Sequence, residues 1–166
     1  NYLDYLINTN FGDSLQLKNL YDNFATISES DSIIFRQNLF LGILSKQLNE
    51  SNLTTINYMK KYVAEYPNDK RGFLFLANLY LEFEDYISAM HYYHRLLLID
   101  ENHFDANFSI GKILVKLKDY KNAISILNKA YDLDNNHFES KNLLGFCYYN
   151  LEEYKKSIYE FTQALL

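Results

Sequence analysis

The sequence predicts an all-α fold, a solenoid of antiparallel helix pairs with about ten helices. Three observations carry this expectation. Residues 70–166 repeat one pattern three times at a constant period: Leu76-Ala77, Ile110-Gly111 and Leu144-Gly145 recur in step, as do Tyr86, Tyr120 and Tyr154, and Ala89, Ala123 and Ser157. A fixed period of that length marks a stacked-repeat architecture. Within each unit the apolar residues step by three and four (Leu76, Tyr80, Phe83; Ile110, Leu114, Leu117; Leu144, Tyr148, Leu151), which lays them along one stripe of a helix. Between the halves of each unit, Glu84-Asp85, Lys118-Asp119 and Glu152-Glu153 leave room only for a tight turn.

In chain order, residues 1–10 can form a short helix on Leu3 and Leu6, with Gly12-Asp13-Ser14 as a stop followed by an N-cap. Leu17, Leu20, Tyr21, Phe24 and Ile27 define a helix over about 14–28. A longer one follows, with Ile33, Ile34, Phe40, Leu41, Leu44 and Leu48 inward. Leu53, Ile56, Met59, Val63 and Tyr66 define the next, and here the period returns: Thr55 stands one full period before Ala89, and Met59 one before Tyr93. One extra residue in the turn at 48–52 also brings Leu41-Gly42 into register with Leu76-Ala77. Residues 1–30 are therefore expected to be N-terminal helices, either a divergent repeat or a cap. Residues 31–69 form a degenerate repeat ended by Pro67, 70–103 and 104–137 are full repeats, and 138–166 is a truncated one. In each unit small residues (Gly72 and Ala77, Ala106 and Gly111, Ser140 and Gly145) sit where two helices must approach closely.

These positions resemble the tetratricopeptide repeat family. Its pattern of an apolar residue plus Gly or Ala, an aromatic, then Tyr, Ala and an aromatic after the turn is met at Leu144, Gly145, Tyr148, Tyr154, Ser157, Phe161 and Ala164, and comparably in the two earlier units. The family's Trp is absent, and Phe73, Asn107 and Lys141 stand in its place. The resemblance implies a right-handed superhelix whose inner wall is built by the first helix of each pair.

Composition sets limits on function. A net charge of −5 over 166 residues argues against a nucleic-acid partner, which usually needs a basic stripe. A single cysteine allows neither an intrachain disulfide nor a thiolate metal cage, and Cys147 is expected to be a buried small hydrophobe. No apolar run reaches the length of a membrane span, so no membrane insertion by this fragment is expected. The compartment is left open: a soluble domain, cytoplasmic or, in a bacterium, periplasmic. The chain begins at Asn1 without Met and stops at Leu166 within a helical pattern, which reads as part of something longer.

No catalytic constellation emerges, so the chain is expected not to be an enzyme and to use no cofactor or metal. His91 and His94 are one turn apart without a third ligand, and His103 and His137 are equivalent positions just before a helix. What is left is surface. By the resemblance, the inner wall carries Arg71, Leu74, Asn78, Phe108, Lys112, Lys116, Asn142, Phe146 and Tyr149, an apolar strip ringed by amides and charge that suits an extended peptide or a partner's helix. Lys112 and Lys116 can alternatively pair with Glu82 and Asp105. Ile158, Phe161 and Leu165 form an open C-terminal face that another helix would normally cover. The places of the family's chaperone-tail clamp hold Leu74, Asn78, Ser109, Glu139 and Leu143, and those of its Asn ladder hold Phe75, Ser109 and Leu143, so neither specialised function is expected. The expected role is a non-catalytic scaffold that binds another protein in the groove or at the open end. The alternatives are a regulatory or substrate-recruiting arm of an enzyme whose catalytic domain lies outside these residues, and self-association.

Overall fold

The computed structural model describes residues 14–25 and 37–165. Among them nine helices follow one another: α1 (Ser14–Ala25), α2 (Gln37–Gln47), α3 (Asn52–Glu65), α4 (Lys70–Glu82), α5 (Tyr86–Leu97), α6 (Phe104–Lys116), α7 (Tyr120–Leu133), α8 (Phe138–Asn150) and α9 (Tyr154–Ala164). No strand occurs among the described residues. The helix expected at 1–10, and the apolar positions Ile27, Ile33 and Ile34, lie outside them. Two compact units, Asn1–Leu76 and Ala77–Leu166, divide within α4.

In the first unit Leu17 of α1 packs with Phe40 and Leu44 of α2, flanked by Leu20, Tyr21 and Leu48. Helices α2 and α3 run antiparallel. Ser45 meets Thr55 near the turn (Oγ–Oγ1 2.9 Å), while Asn38 lies against Glu65 at the far end (3.4 Å). The Ser45 hydroxyl donates to the Gly42 carbonyl at 2.9 Å, so its contact with Thr55 is one in which Thr55 donates. Both hydroxyls are buried and satisfied. At the head of α4, Asp69 accepts from the buried Tyr62 hydroxyl (2.6 Å) and from Arg71 Nε and Nη2 (3.0 and 2.7 Å), which ties the connecting segment to both helices.

In the second unit the pairs are α4 (from Ala77 on) with α5, α6 with α7, and α8 with α9. Tyr93 donates to Asn78 Oδ1 at 2.6 Å and Tyr92 stacks on Tyr80 at 5.5 Å across the first of these. The contact that sets the other two is a glycine on the first helix against a large side chain on the second. A Cβ on Gly111 would stand 2.7 Å from Leu127 Cγ, and one on Gly145 would stand 2.8–2.9 Å from three Phe161 ring atoms. No larger residue fits without the partner moving. In the first unit the corresponding contact is Gly42 on Met59, one position further along the chain than in the other two pairs. The extra residue expected in that turn is thus present: four residues separate α2 from α3, whereas three separate α4 from α5, α6 from α7, and α8 from α9.

The turns themselves explain why three residues suffice. Glu84, Lys118 and Glu152 adopt the left-handed conformation (φ 57°, 62° and 62°). In each turn that residue's N–H returns to a carbonyl three positions back and the next N–H to one five back, as in Lys118→Val115 and Asp119→Leu114 at 3.0 and 2.9 Å. This is a Schellman closure. The residue after it then opens the following helix: Asp85 accepts from Ser88 N and Asp119 from Asn122 N. In the α2–α3 turn the two jobs fall to different residues, Glu50 closing α2 and Ser51 capping α3, which accounts for the inserted position.

The family's missing Trp is replaced in three ways. Phe73 is buried. Asn107 is buried and donates to the carbonyls of Glu101 and His103 at 3.2 and 2.9 Å, fastening the α5–α6 connection. Lys141 reaches Glu160 at 2.8 Å and lies 4.0 Å from the Tyr131 ring centroid, in a nearly closed site.

This packing sets the outcome of two substitutions. Gly145→Ala is expected to lower unfolding free energy by about 1–3 kcal/mol in urea titration, because overpacking against Phe161 outweighs the gain in helix propensity. Lys118→Gly is expected to raise it by about 0.5–1 kcal/mol by relieving the left-handed position, net of the added freedom of the unfolded chain.

Candidate partner-binding surface

The surface is best built from the first helices of the second unit. Helices α6 and α8 touch directly: the His137 ring lies edge-on to Phe108 at 4.5 Å and Phe104 at 4.8 Å, and Lys112 Nζ meets Glu139 at 3.4 Å. His137 also caps α8, its Nδ1 facing Ser140 N at 3.3 Å and Ser140 Oγ at 3.0 Å. This histidine serves the helix start, as its position just before the repeat predicts. Its counterpart His103 makes no side-chain cap bond to α6.

Phe108 requires a correction. Placed on the inner wall as an exposed ring, it is only 8% exposed, stacked on Phe104 and covered by His137. The sequence offers no sign that His137, one repeat later, folds over it. Lys112 lies above the same ring at 5.2 Å and pairs with Glu139 on the next first helix, not with Glu82 or Asp105. Lys116 and Asn142 are exposed, Phe146 is 43% exposed and Tyr149 59%. Asn78 is exposed, but its Oδ1 accepts from Tyr93. Tyr93 is buried, and that burial pushes its phenol up from the ordinary range. Of the two candidates in the first unit, Leu74 is half-buried and Arg71 is committed to Asp69.

At the C-terminal face Ile158 and Leu165 are largely exposed, Leu165 at 88%. Phe161 is partly covered because its ring seats against Gly145 of α8. Two residues that sequence reasoning passed over complete the aromatic set. Half-buried Tyr120 meets Phe146 edge-on at 6.1 Å, and exposed Tyr154 meets Tyr149 at 5.9 Å. Their recurrence once in every repeat marks them as packing grammar and hides their place at this surface.

Cys147 is fully buried, and burial pushes its thiol up to about 11. His91 and His94 are exposed, and no group of three metal-ligating side chains is assembled among the described residues. No helix among them is long and apolar enough to cross a membrane.

The sequence profile for anaphase-promoting complex, cyclosome, subunit 3 matches residues 84–164. Among solved structures, the fold is similar to a crystal structure of MamA (TM-score 0.77, 16% identity, 95% of this chain and 94% of that one). It is similar also to a second MamA structure (TM-score 0.79, 15% identity, 90% and 81%). At that identity the likeness shows the fold. A search of curated proteins gave no significant match. The profile matched over residues 84–164 is of a tetratricopeptide-type repeat family, and the fold is the tetratricopeptide-like helical one.

Native Cys147 is expected to resist a disulfide-exchange reagent at pH 8 and to react fully once the chain is unfolded in urea. Prompt labelling of the folded protein would show that the packing around α8 opens.

Proposed function

We propose that this chain is a non-catalytic interaction scaffold that holds a peptide segment or a partner's helix against the first-helix side of its repeats. The observation that carries the reading is the exposure of Phe146 and Tyr149 on one helix, each in edge-on contact with a further ring, Tyr120 and Tyr154, so that the four rings form a continuous strip. Rings left in water on a rigid helix are costly unless something covers them, and they supply contact area at low conformational cost. Asn142, one turn before Phe146, offers an amide that can pair with a guest's backbone. The C-terminal face with Ile158 and Leu165 offers a second place for a partner. The chemistry-bearing residues support the non-catalytic half: His137 caps a helix, His91 and His94 face water, and Cys147 is enclosed.

The test is affinity capture with the chain followed by mass spectrometry, repeated with Phe146→Ala/Tyr149→Ala and separately with Ile158→Ala/Leu165→Ala. The expected outcome is loss of the main partner with the first variant at unchanged helicity. Loss with the second variant only would move the site to the C-terminal face, and no loss with either would overturn the reading. Phe108 is left intact because it is buried, so its removal would report on folding.

A further inference from the structure

The α6–α7 turn carries a charge cluster that the fold does not use. Lys116, Lys118 and Lys121 are all exposed, and no carboxylate pairs with them among the described residues. The acid between them, Asp119, is engaged by Asn122, accepting from its Nδ2 at 2.7 Å and its backbone N at 3.4 Å. Lys116 suits the C-terminal end of α6, where the helix dipole welcomes a cation. Lys121 has no such reason. It is the second residue of α7, where the dipole favours an anion, and no partner offsets the cost.

Apolar surface continues from this cluster. Leu117, between two of the lysines, is 52% exposed. Tyr120, between Lys118 and Lys121, touches Phe146, and Tyr149 lies about one turn further along α8 against Tyr154. Lysines at one end and open rings at the other make a two-part surface.

We propose that this turn and the ring strip beside it bind a short acidic peptide segment, with about two or three carboxylates on Lys116, Lys118 and Lys121 and a Phe, Leu or Tyr anchor on Phe146 and Tyr149. The proposal rests on the reading of the chain as a binding module and names the chemistry of the guest. Charge disfavours nucleic acid: the preceding turn carries Glu82, Glu84 and Asp85, and in the following one Glu152 and Glu153 offset Lys155 and Lys156, so the basic run does not extend as a stripe past this turn, whereas a short peptide stays within it. None of the three lysines stands at a place of the family's carboxylate clamp, so this is a different surface.

The test is a display selection of random dodecapeptides on the full chain and on Lys116→Glu/Lys118→Glu/Lys121→Glu, with affinities of the winners measured by fluorescence anisotropy. Expected winners carry at least two Asp or Glu next to an aromatic or leucine. They should bind at least about tenfold more weakly to the reversed variant and weaken with added salt, at unchanged helicity. Winners that are neutral or basic, no winners, or acidic winners indifferent to charge reversal would each overturn the proposal. Two controls name rival occupants, and either result would also overturn it: tighter binding of a single-stranded RNA long enough to span such a site, or a concentration-dependent mass that the reversed variant abolishes, which would make the occupant a second copy. If non-acidic peptides are enriched and lost with Phe146→Ala/Tyr149→Ala, the scaffold reading stands and this one falls.

Discussion

The helix pairs of this fold depend on how closely two helices can approach at one small residue, a glycine in three of the four pairs and Ala77 in α4–α5. Gly111 against Leu127 and Gly145 against Phe161 leave no room for a side chain on the first helix of the pair. That approach is possible only if the turn delivers the second helix in a fixed phase, and the Schellman closure at Glu84, Lys118 and Glu152 does so with three residues. Turn and contact thus constrain each other. The one pair with a four-residue turn moves its contact along by the same single position, which keeps glycine on a large side chain at Gly42 and Met59.

A consequence is that positions needing a small residue tolerate polarity when a partner is near. Where the repeat has Ala89 and Ala123, the first pair has Thr55 and the last has Ser157. Thr55 is satisfied by Ser45, and Ser157 donates to the Gly145 carbonyl at 2.9 Å. Size is the stricter demand there, and a buried hydroxyl costs little once paired. Lys141 shows the same tolerance at a larger position: its ammonium, nearly enclosed, is matched by Glu160 and the Tyr131 face.

Much of this is legible in the sequence. The period yields the helix pairs, the three-and-four spacing yields the stripes, buried at Leu76, Ile110, Leu114 and Leu144 though open at Phe83 and Leu117, and Leu41-Gly42 signals the inserted turn residue. What cannot be read is anything decided between repeats. Phe108 reads as an open ring because nothing near it in sequence reveals that His137 folds over it. Lys112 reads as able to pair with Glu82 or Asp105 and instead meets Glu139 on the next first helix. Tyr120 and Tyr154 read as repeat grammar, and their part in the surface depends on where Phe146 and Tyr149 fall. Helical periodicity states which way a side chain points on its own helix, and says little about what the neighbouring repeat places in front of it.

The binding surface inherits its rigidity from those inter-helix contacts, since Phe146 follows Gly145 on the helix that Phe161 seats against. The most direct measurement of the account is therefore the pair contact in solution, by nuclear Overhauser effects in the isotopically labelled chain. Strong effects from the Gly111 α-protons to the Leu127 methyls and from the Gly145 α-protons to the Phe161 ring are predicted. Their absence, or effects joining those glycines to residues at other offsets, would contradict the arrangement on which the fold and the surface both rest.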